Sequence, residues 1–548
     1  MPLHTHRDLG VGRQASEDLT GRDRCHSESV TSAGYRIRPM IGLIKVNMRT
    51  KYLIFKKIVT LFFAIPATEA LVHGAEIDHG GWYVEMAGMG STKRALPFWS
   101  HTNKGGVYPE TCGGLFRGGV NGTSYGKNTF RLDWGIGLAG YAAAEGNAEV
   151  HNSDGSSTRG MVQELYVGTG WKKLNLDLGI RRRTTDFGGL SVTGGNFVLT
   201  DNAQSFPGYR LHSDWIKIPF TKGILSARFD FGDYGLWDNR YVKHTLLHNQ
   251  ALHFKVNISK RISFTGGLDL WTQWGGTSPV YGKQPQRFSD YLKIMVAASG
   301  GEGATKSDQI NALGNHLGRE LLRLDLDQDR WHLAFQHDRP FEDGSGVGFQ
   351  NFPDAVNTLH LSFKNKDKWV SDLLLEFIYT KWQSGTRHDR PATEEELKRN
   401  PDKKVYIVGG CDNYFNNGEY QSAWTYNGRS IGLPLFTLTP KDENGITKGV
   451  SNNRIIAWNV GLGGKLFRKV PYLLKVTYSK NFGKYSQSDP FYNSVPRQVS
   501  GALELTLPKR VIGNATLLSI GLYADKGSLY PDTAGITLRL GCGGTLTH

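Results

Sequence analysis

From Ala251 to Trp274 apolar and polar residues alternate strictly. Leu252, Phe254, Val256 and Ile258 interleave with His253, Lys255, Asn257 and Ser259. After the basic turn Lys260-Arg261 the pattern resumes, with Ile262, Phe264, Gly266, Leu268 and Leu270 on one side and Ser263, Thr265, Gly267, Asp269 and Gln273 on the other. Successive side chains of a strand point to opposite faces, so this stretch is a hairpin with one apolar and one polar face. Each arm is about ten residues long, enough to cross a bilayer as a tilted strand. Trp271 and Trp274 fall at the far end, where an aromatic girdle is expected.

The unit recurs. Leu322, Leu324 and Leu326 alternate with Arg323, Asp325 and Asp327; after the turn Gln328-Asp329-Arg330, Trp331, Leu333 and Phe335 return against His332 and Gln336. Trp458 to Leu466 is answered after Arg468-Lys469 by Tyr472 to Tyr478, and Val499 to Leu507 by Leu518, Ile520 and Leu522. Leu225, Ala227, Phe229 and Phe231 make one more strand. A soluble sandwich also alternates, so connection length decides. Short turns alternate here with long loops at Gly275 to Gly318, Gln383 to Val405, Cys411 to Asn453 and Tyr478 to Arg497. Closed membrane barrels show that asymmetry. The polar set, which includes Arg228, Asp269, Arg323, Lys465 and Glu504, is then expected to face the lumen. The fold class expected is all-β, a transmembrane antiparallel β-barrel with long extracellular loops and short loop helices.

Residues 76 to 548 are assigned to the barrel. Met48 opens a basic start, Ile58 to Ala67 is apolar, and Val72-His73-Gly74-Ala75 ends in small residues, the pattern of a secretory signal over 48 to 75. Such signals stand at the true start, so residues 1 to 47 are read as an upstream mis-start, disordered. The chain carries 65 Lys and Arg against 50 Asp and Glu; without residues 1 to 75, which hold 11 and 6, the balance is 54 against 44, still +10. A basic excess suits an anionic polymer or a lipopolysaccharide-rich surface, and basic short turns such as Lys172-Lys173 and Lys509-Arg510 account for part of it. After the signal there is no apolar run of about 18 residues, which excludes a helical membrane protein. The three cysteines beyond it form no complete disulfide framework; Cys112 and Cys411, both in expected loops, are candidates for a pair.

No catalytic set emerges. Gly122-Thr123-Ser124-Tyr125-Gly126 has the spacing of a nucleophile elbow, but that motif needs a following helix and a strand is expected instead. His244, His248 and His253 would need a helix to share a face as ligands. No catalysis, cofactor or metal is expected, and secretion argues against nucleic acid. Basic residues among aromatics suit sugars, because aromatic faces stack on pyranose C–H surfaces while Asp, Asn and Arg bond hydroxyls.

The loop Asp412-Asn413-Tyr414-Phe415-Asn416-Asn417-Gly418-Glu419-Tyr420 through Trp424-Thr425-Tyr426-Asn427-Gly428-Arg429 to Leu435 resembles a segment of the Wzi-type capsule assembly family, particularly its Bacteroidetes branch. Asn311 to His316, and Gly189-Leu190-Ser191 through Asp201 to Gly208, resemble that family too. The resemblance covers about Trp82 to Leu540 and implies an 18-stranded outer-membrane barrel, integral to the membrane in a Gram-negative cell. It also implies a lectin-like, non-enzymatic role in retaining or organising capsular polysaccharide, with outer-membrane lipid, lipopolysaccharide and capsule export machinery as partners. Outer-membrane strands usually end the chain on an aromatic residue, whereas here Leu540 is followed by Gly541 to His548. If the loop contacts polysaccharide, Tyr414, Tyr420, Trp424 and Tyr426 are the candidates for stacking and Asp412, Asn413 and Arg429 for hydrogen bonds; the alternative is that these residues fold the loop into the barrel mouth, since Asn, Gly and Tyr also serve turns and anchoring. Two alternatives stay open: a porin for small polar solutes or oligosaccharides, and a hydrolase acting through Ser124. A helix expected at Gln286 to Ala298, with Phe288, Tyr291, Leu292 and Met295 on one face, is placed to plug or cover the mouth.

Overall fold

The computed structural model describes residues 79–126, 129–144, 158–310, 312–385, 390–391, 394–399, 406–407, 412–485, 494–507 and 516–546. The expected signal, residues 1 to 47 and Cys411 lie outside them.

Eighteen antiparallel strands form one closed sheet. They are β1 (His79–Ser91), β2 (Gly113–Tyr125), β3 (Phe130–Ala143), β4 (Thr158–Trp171), β5 (Leu174–Ile180), β6 (Pro207–Ser213, continued by Ile216–Lys217), β7 (Leu225–Gly235), β8 (Leu246–Asn257) and β9 (Ile262–Trp274). The second half comprises β10 (Asn315–Asp327), β11 (Trp331–Phe341), β12 (Ala355–Phe363), β13 (Asp372–Tyr379), β14 (Ile455–Leu466), β15 (Val470–Asn481), β16 (Arg497–Leu507), β17 (Thr516–Gly527) and β18 (Thr533–Thr545). Closure comes from β1, where Trp82 stands opposite Val120 of β2 on one side and Gly544 of β18 on the other. The glycine-rich stretch after Leu540 thus completes the last strand, and the barrel has no free edge for another chain to pair with.

Leu252, Phe254, Leu268, Leu322, Phe335, Val460, Val476 and Leu538 are exposed on the outer wall, as an apolar surface turned to lipid requires. One device keeps this parity. In β4, Gln163 is an extra residue, because Gly137 pairs with Glu164 and the next residue, Leu138, with Val162. The bulge shifts the alternation by one, so Val162 before it and Leu165 and Val167 after it all face outward. Lys172 lies over Trp171 at the short-turn end, and Trp369 meets Phe467 edge-on there; Phe377 and Trp458 pair at the loop end. Trp271 and Trp274 are not girdle residues: both are buried, Trp271 inside the lumen against Tyr234 and Trp274 on the outer wall against Tyr291.

Short turns at 172–173, 258–261, 328–330 and 467–469 close one end, while the described residues of 92–112, 181–206, 275–314 and 380–454 make the long segments of the other. These long segments fold back. The largest apolar cluster contains Trp99, Phe197, Trp271, Tyr414, Phe415, Trp424 and Phe436, so the main core lies inside the barrel and over its mouth. The helices are short, and among the described residues no helix is long and apolar enough to cross a membrane. Two matter below: α1 (Phe98–His101) within 92–112, and α2 (Phe288–Met295), whose first turn is closed by the Asp290 carboxylate accepting from the Arg287 N–H at 2.9 Å. α2 does not cover the mouth. Tyr291 reaches Asp233 and His248, which point away from the lumen, so the helix lies on the outside of the wall.

Candidate functional site

Segment 181–206 descends into the lumen and is held there by buried polar wall residues. The Glu376 carboxylate of β13 accepts from Ser191 Oγ at 2.7 Å, Val192 N at 2.8 Å and Thr193 Oγ1 at 2.6 Å. Asn459 of β14 donates to the Leu190 carbonyl at 3.0 Å, and Arg319 and Gln336 both donate to the Gly195 carbonyl. Asp338 accepts from Phe197 N at 3.0 Å, while Arg319 bridges Asp338 at 3.0 Å and Asp269 at 2.5 Å. An irregular backbone at this depth would otherwise carry unsatisfied amides. The wall also makes room: a Cβ at Gly461 would stand 2.7 Å from Leu190 Cβ.

Segment 92–112 enters beside it. Phe98 N, at the start of α1, donates to Asp525 at 2.8 Å, Trp99 Nε1 to Thr477 at 3.1 Å, and Lys104 pairs with Glu504 at 2.6 Å. Together the two segments plug the lumen.

The seven sequence-predicted residues come together above this plug, and they form its roof. Trp424 is 1% exposed and its indole donates to the Val198 carbonyl at 2.7 Å. Tyr414 is 0% exposed and donates to Asp354 at 3.0 Å; Tyr420 donates to the Gly275 carbonyl at 3.2 Å; Tyr426 packs edge-on against Phe206 at 5.2 Å. Arg429 ties the roof to segment 92–112 through the Tyr108 carbonyl at 2.7 Å and Glu110 at 2.9 Å. Asp412 accepts from Ser384 Oγ at 2.6 Å, and half-buried Asn413 accepts from Asn453 at 2.7 Å. None of the four rings presents a free face, so of the two expectations they meet the one in which they fold the loop over the mouth and not the one in which they stack on sugar: aromatic residues in a loop over a wide barrel are the material from which the loop makes its own core. Gly432 belongs to the same packing, since a Cβ there would lie 2.4 Å from the Phe415 ring and 2.5 Å from the Phe197 carbonyl.

Burial shapes the acid groups of the roof. Asp354 accepts from Trp382 N, Gln383 N and Tyr414 Oη, yet burial outweighs these bonds and pushes its carboxyl up to about 7. Glu419 also rises to about 7, through burial and the neighbouring charge of Asp308.

At the rim the exposed aromatics are ones that sequence reasoning did not select. Trp382 is 44% exposed, with its indole nitrogen bonded to the Gln350 carbonyl at 3.0 Å, and Tyr485 donates to the Trp382 carbonyl. Arg454 lies over Tyr485 at 3.7 Å and Lys381 over Phe482 at 4.4 Å. An aromatic face among cations and amides is a surface that can hold a sugar ring and its acidic substituents. Trp382 follows β13 directly, but nothing local in the sequence separates an exposed loop tryptophan from a buried one.

Beside segment 181–206 a cavity of about 610 Å³ runs from the short-turn end at Lys173 and Asp214 up to Tyr234 and Trp271 near the loop end, and is lined by Arg181, Arg183, Arg210 and Arg228. Near the short-turn end Arg228 and Lys255 stand over Trp215 at 5.1 and 4.8 Å. Among the described residues no group of three or more His, Cys, Asp and Glu side chains is placed to hold a metal. Ser124 lies within β2 and is followed by β3 rather than a helix, so no nucleophile elbow forms. His248 and His253 are on opposite faces of β8, the first meeting Asp233 outside and the second Asp269 inside. Cys112 is a free thiol.

A closed antiparallel barrel of eighteen strands with one short-turn and one long-loop end is the fold of Gram-negative outer-membrane proteins. No family model and no curated protein matches the chain. Among solved structures it is similar to Wzi of Escherichia coli, described as a carbohydrate-binding β-barrel involved in group 1 capsule assembly, with a TM-score of 0.51, 12% identity, and coverage of 87% of this chain and 86% of that one. Acinetobacter baumannii OccAB4 aligns over 86% of this chain and 99% of its own at 10% identity and a TM-score of 0.42. Pseudomonas aeruginosa OprD does so over 86% and 96%, at 10% identity and a TM-score of 0.41. At these identities the likeness is one of fold.

Proposed function

We propose that this chain is an outer-membrane protein that binds capsular polysaccharide and retains or organises it at the cell surface, without catalysis. The observation that carries the reading is the packing of segments 92–112 and 181–206 inside the lumen with the loop from Asp412 buried over them: loops that occupy the lumen favour display of a surface, whereas a diffusion porin needs a continuous aqueous path. The similarity of Asp412 to Leu435 to a capsule assembly segment supports the same reading, and so does the basic excess, which suits an acidic glycan. In this reading the roof residues support the binding surface and the rim platform of Trp382, Tyr485 and Arg454 contacts the chain.

The test is the distribution of capsular polysaccharide between cells and medium, in a strain lacking the gene and in one expressing it from Met48. Loss of the cell-bound fraction with unchanged total supports retention; an unchanged distribution overturns it. A second comparison separates platform from scaffold. Trp382→Ala is expected to weaken polysaccharide binding about tenfold, the loss of roughly 1.4 kcal/mol of aromatic contact, while the folded barrel band on unheated gels is unchanged. Trp424→Ala removes a fully buried ring at a cost of about 3–5 kcal/mol, and is expected to make the roof protease-sensitive. Equal binding by wild type and Trp382→Ala would remove the platform from the account.

A further inference from the structure

Outer-wall positions near the loop end of β7 and β8 carry polar side chains where an outer-membrane strand ordinarily turns apolar residues to lipid. Asp233, His248 and Gln250 all point away from the lumen, since Tyr234, Leu247 and Asn249 between them face the plug or the lumen cavity. Each of the three is met by α2. Tyr291 Oη donates to Asp233 at 2.8 Å and lies 3.2 Å from His248 Nδ1, and Gln250 Nε2 donates to the Met295 carbonyl at 2.6 Å. Ile294, Trp274 and Leu313 seal the contact in a small apolar cluster of their own, separate from the core inside the barrel. Two strands further on, buried Arg339 faces outward, pairs with half-buried Glu320 and is covered by Phe349, which lies over its guanidinium at 3.5 Å.

The side of α2 turned away from the wall is apolar as well. Phe288, Leu292 and Val296 follow one another at intervals of four residues and are 66%, 47% and 74% exposed; Phe349 and Phe352 are 63% and 65% exposed. Lys283, Arg287 and Lys293 stand against the single acid Asp290 along the same stretch. A helix with one face docked, an apolar stripe and a net positive charge belongs at the headgroup and acyl boundary of a bilayer. Continuity fixes the level. Gln250, the anchor of α2, is two residues from Leu252, about 7 Å along the strand, and Leu252 and Phe254 are the first exposed apolar residues of the lipid-facing band on β8.

We infer that α2 is a collar laid on the outer wall. Its stripe of Phe288, Leu292 and Val296 inserts into the outer leaflet, and Lys283 and Arg287 face the phosphate groups of the lipid head region. The occupant of this surface is the bilayer itself. The inference rests on the barrel spanning a membrane but not on polysaccharide binding.

The experiment places nitroxide labels at Phe288→Cys, Leu292→Cys and Val296→Cys, each in a chain whose own cysteines are serine. The folded proteins are reconstituted in vesicles of phosphatidylethanolamine and phosphatidylglycerol. Leu252→Cys serves as the lipid reference and Glu302→Cys as the aqueous one. Relaxation by oxygen relative to a water-soluble nickel chelate is expected to match the Leu252 reference at two or more of the three sites. Values matching the Glu302 reference, with Leu252→Cys in lipid, overturn the collar; an aqueous Leu252→Cys overturns the membrane reading and the collar with it.

Discussion

Asp354 shows how the roof's chemistry depends on single residues. Its carboxyl has an ordinary value of 3.8 and is raised to about 7 in the folded protein. Between these values the folded state holds a proton that the opened state releases, so the contribution of Asp354 to roof stability is full below about pH 4 and is lost as pH rises through about 7. Glu419 acts in the same direction. Amide exchange of residues 414–433, corrected for intrinsic rates, is therefore expected to be slower at about pH 5.5 than at about pH 7.5. Asp354→Asn, which stays neutral at both values, is expected to remove part of that difference. An unchanged pH dependence in Asp354→Asn would show that this carboxyl does not govern the roof.

Among the elements, β4 illustrates how far the wall depends on one inserted residue. Deleting Gln163 removes the bulge, so Val162 or Leu165 must turn into the lumen along with every residue on its side. The expected result is loss of the folded barrel on unheated gels, whereas Gln163→Ala keeps the backbone count and is expected to fold. The hairpins β8–β9, β10–β11, β14–β15 and β16–β17 and strand β7 were legible from alternation, because their outward residues are large and apolar. β1 to β3 were not, because glycines such as Gly118, Gly122, Gly135 and Gly140 interrupt the period and leave little pattern to count. The loop from Asp412 was recognisable as a unit, and its seven chosen residues do cluster. Composition left their burial as one of two alternatives and could not decide it, because it depends on partners far along the chain, such as Val198 for Trp424 and Tyr108 for Arg429. The helix was found at nearly its true bounds and assigned the wrong place for the same reason. Tyr291 alone looks like part of an apolar face; only its partner Asp233, outside the wall, shows where the face points.

Taken whole, the molecule is polar along its axis. At the loop end the described residues of plug and roof pack into a buried core inside and over the barrel, and the short-turn end opens on cavities lined by arginine and lysine. Whether this barrel presents a surface and passes no solutes is read from single-channel recording in planar bilayers. The purified wild-type protein is expected to give no stepwise current, while a variant in which residues 188–199 are replaced by a short Gly-Ser linker conducts, which verifies insertion. Steady open-channel current from the wild type would contradict surface display and transfer the reading to a porin.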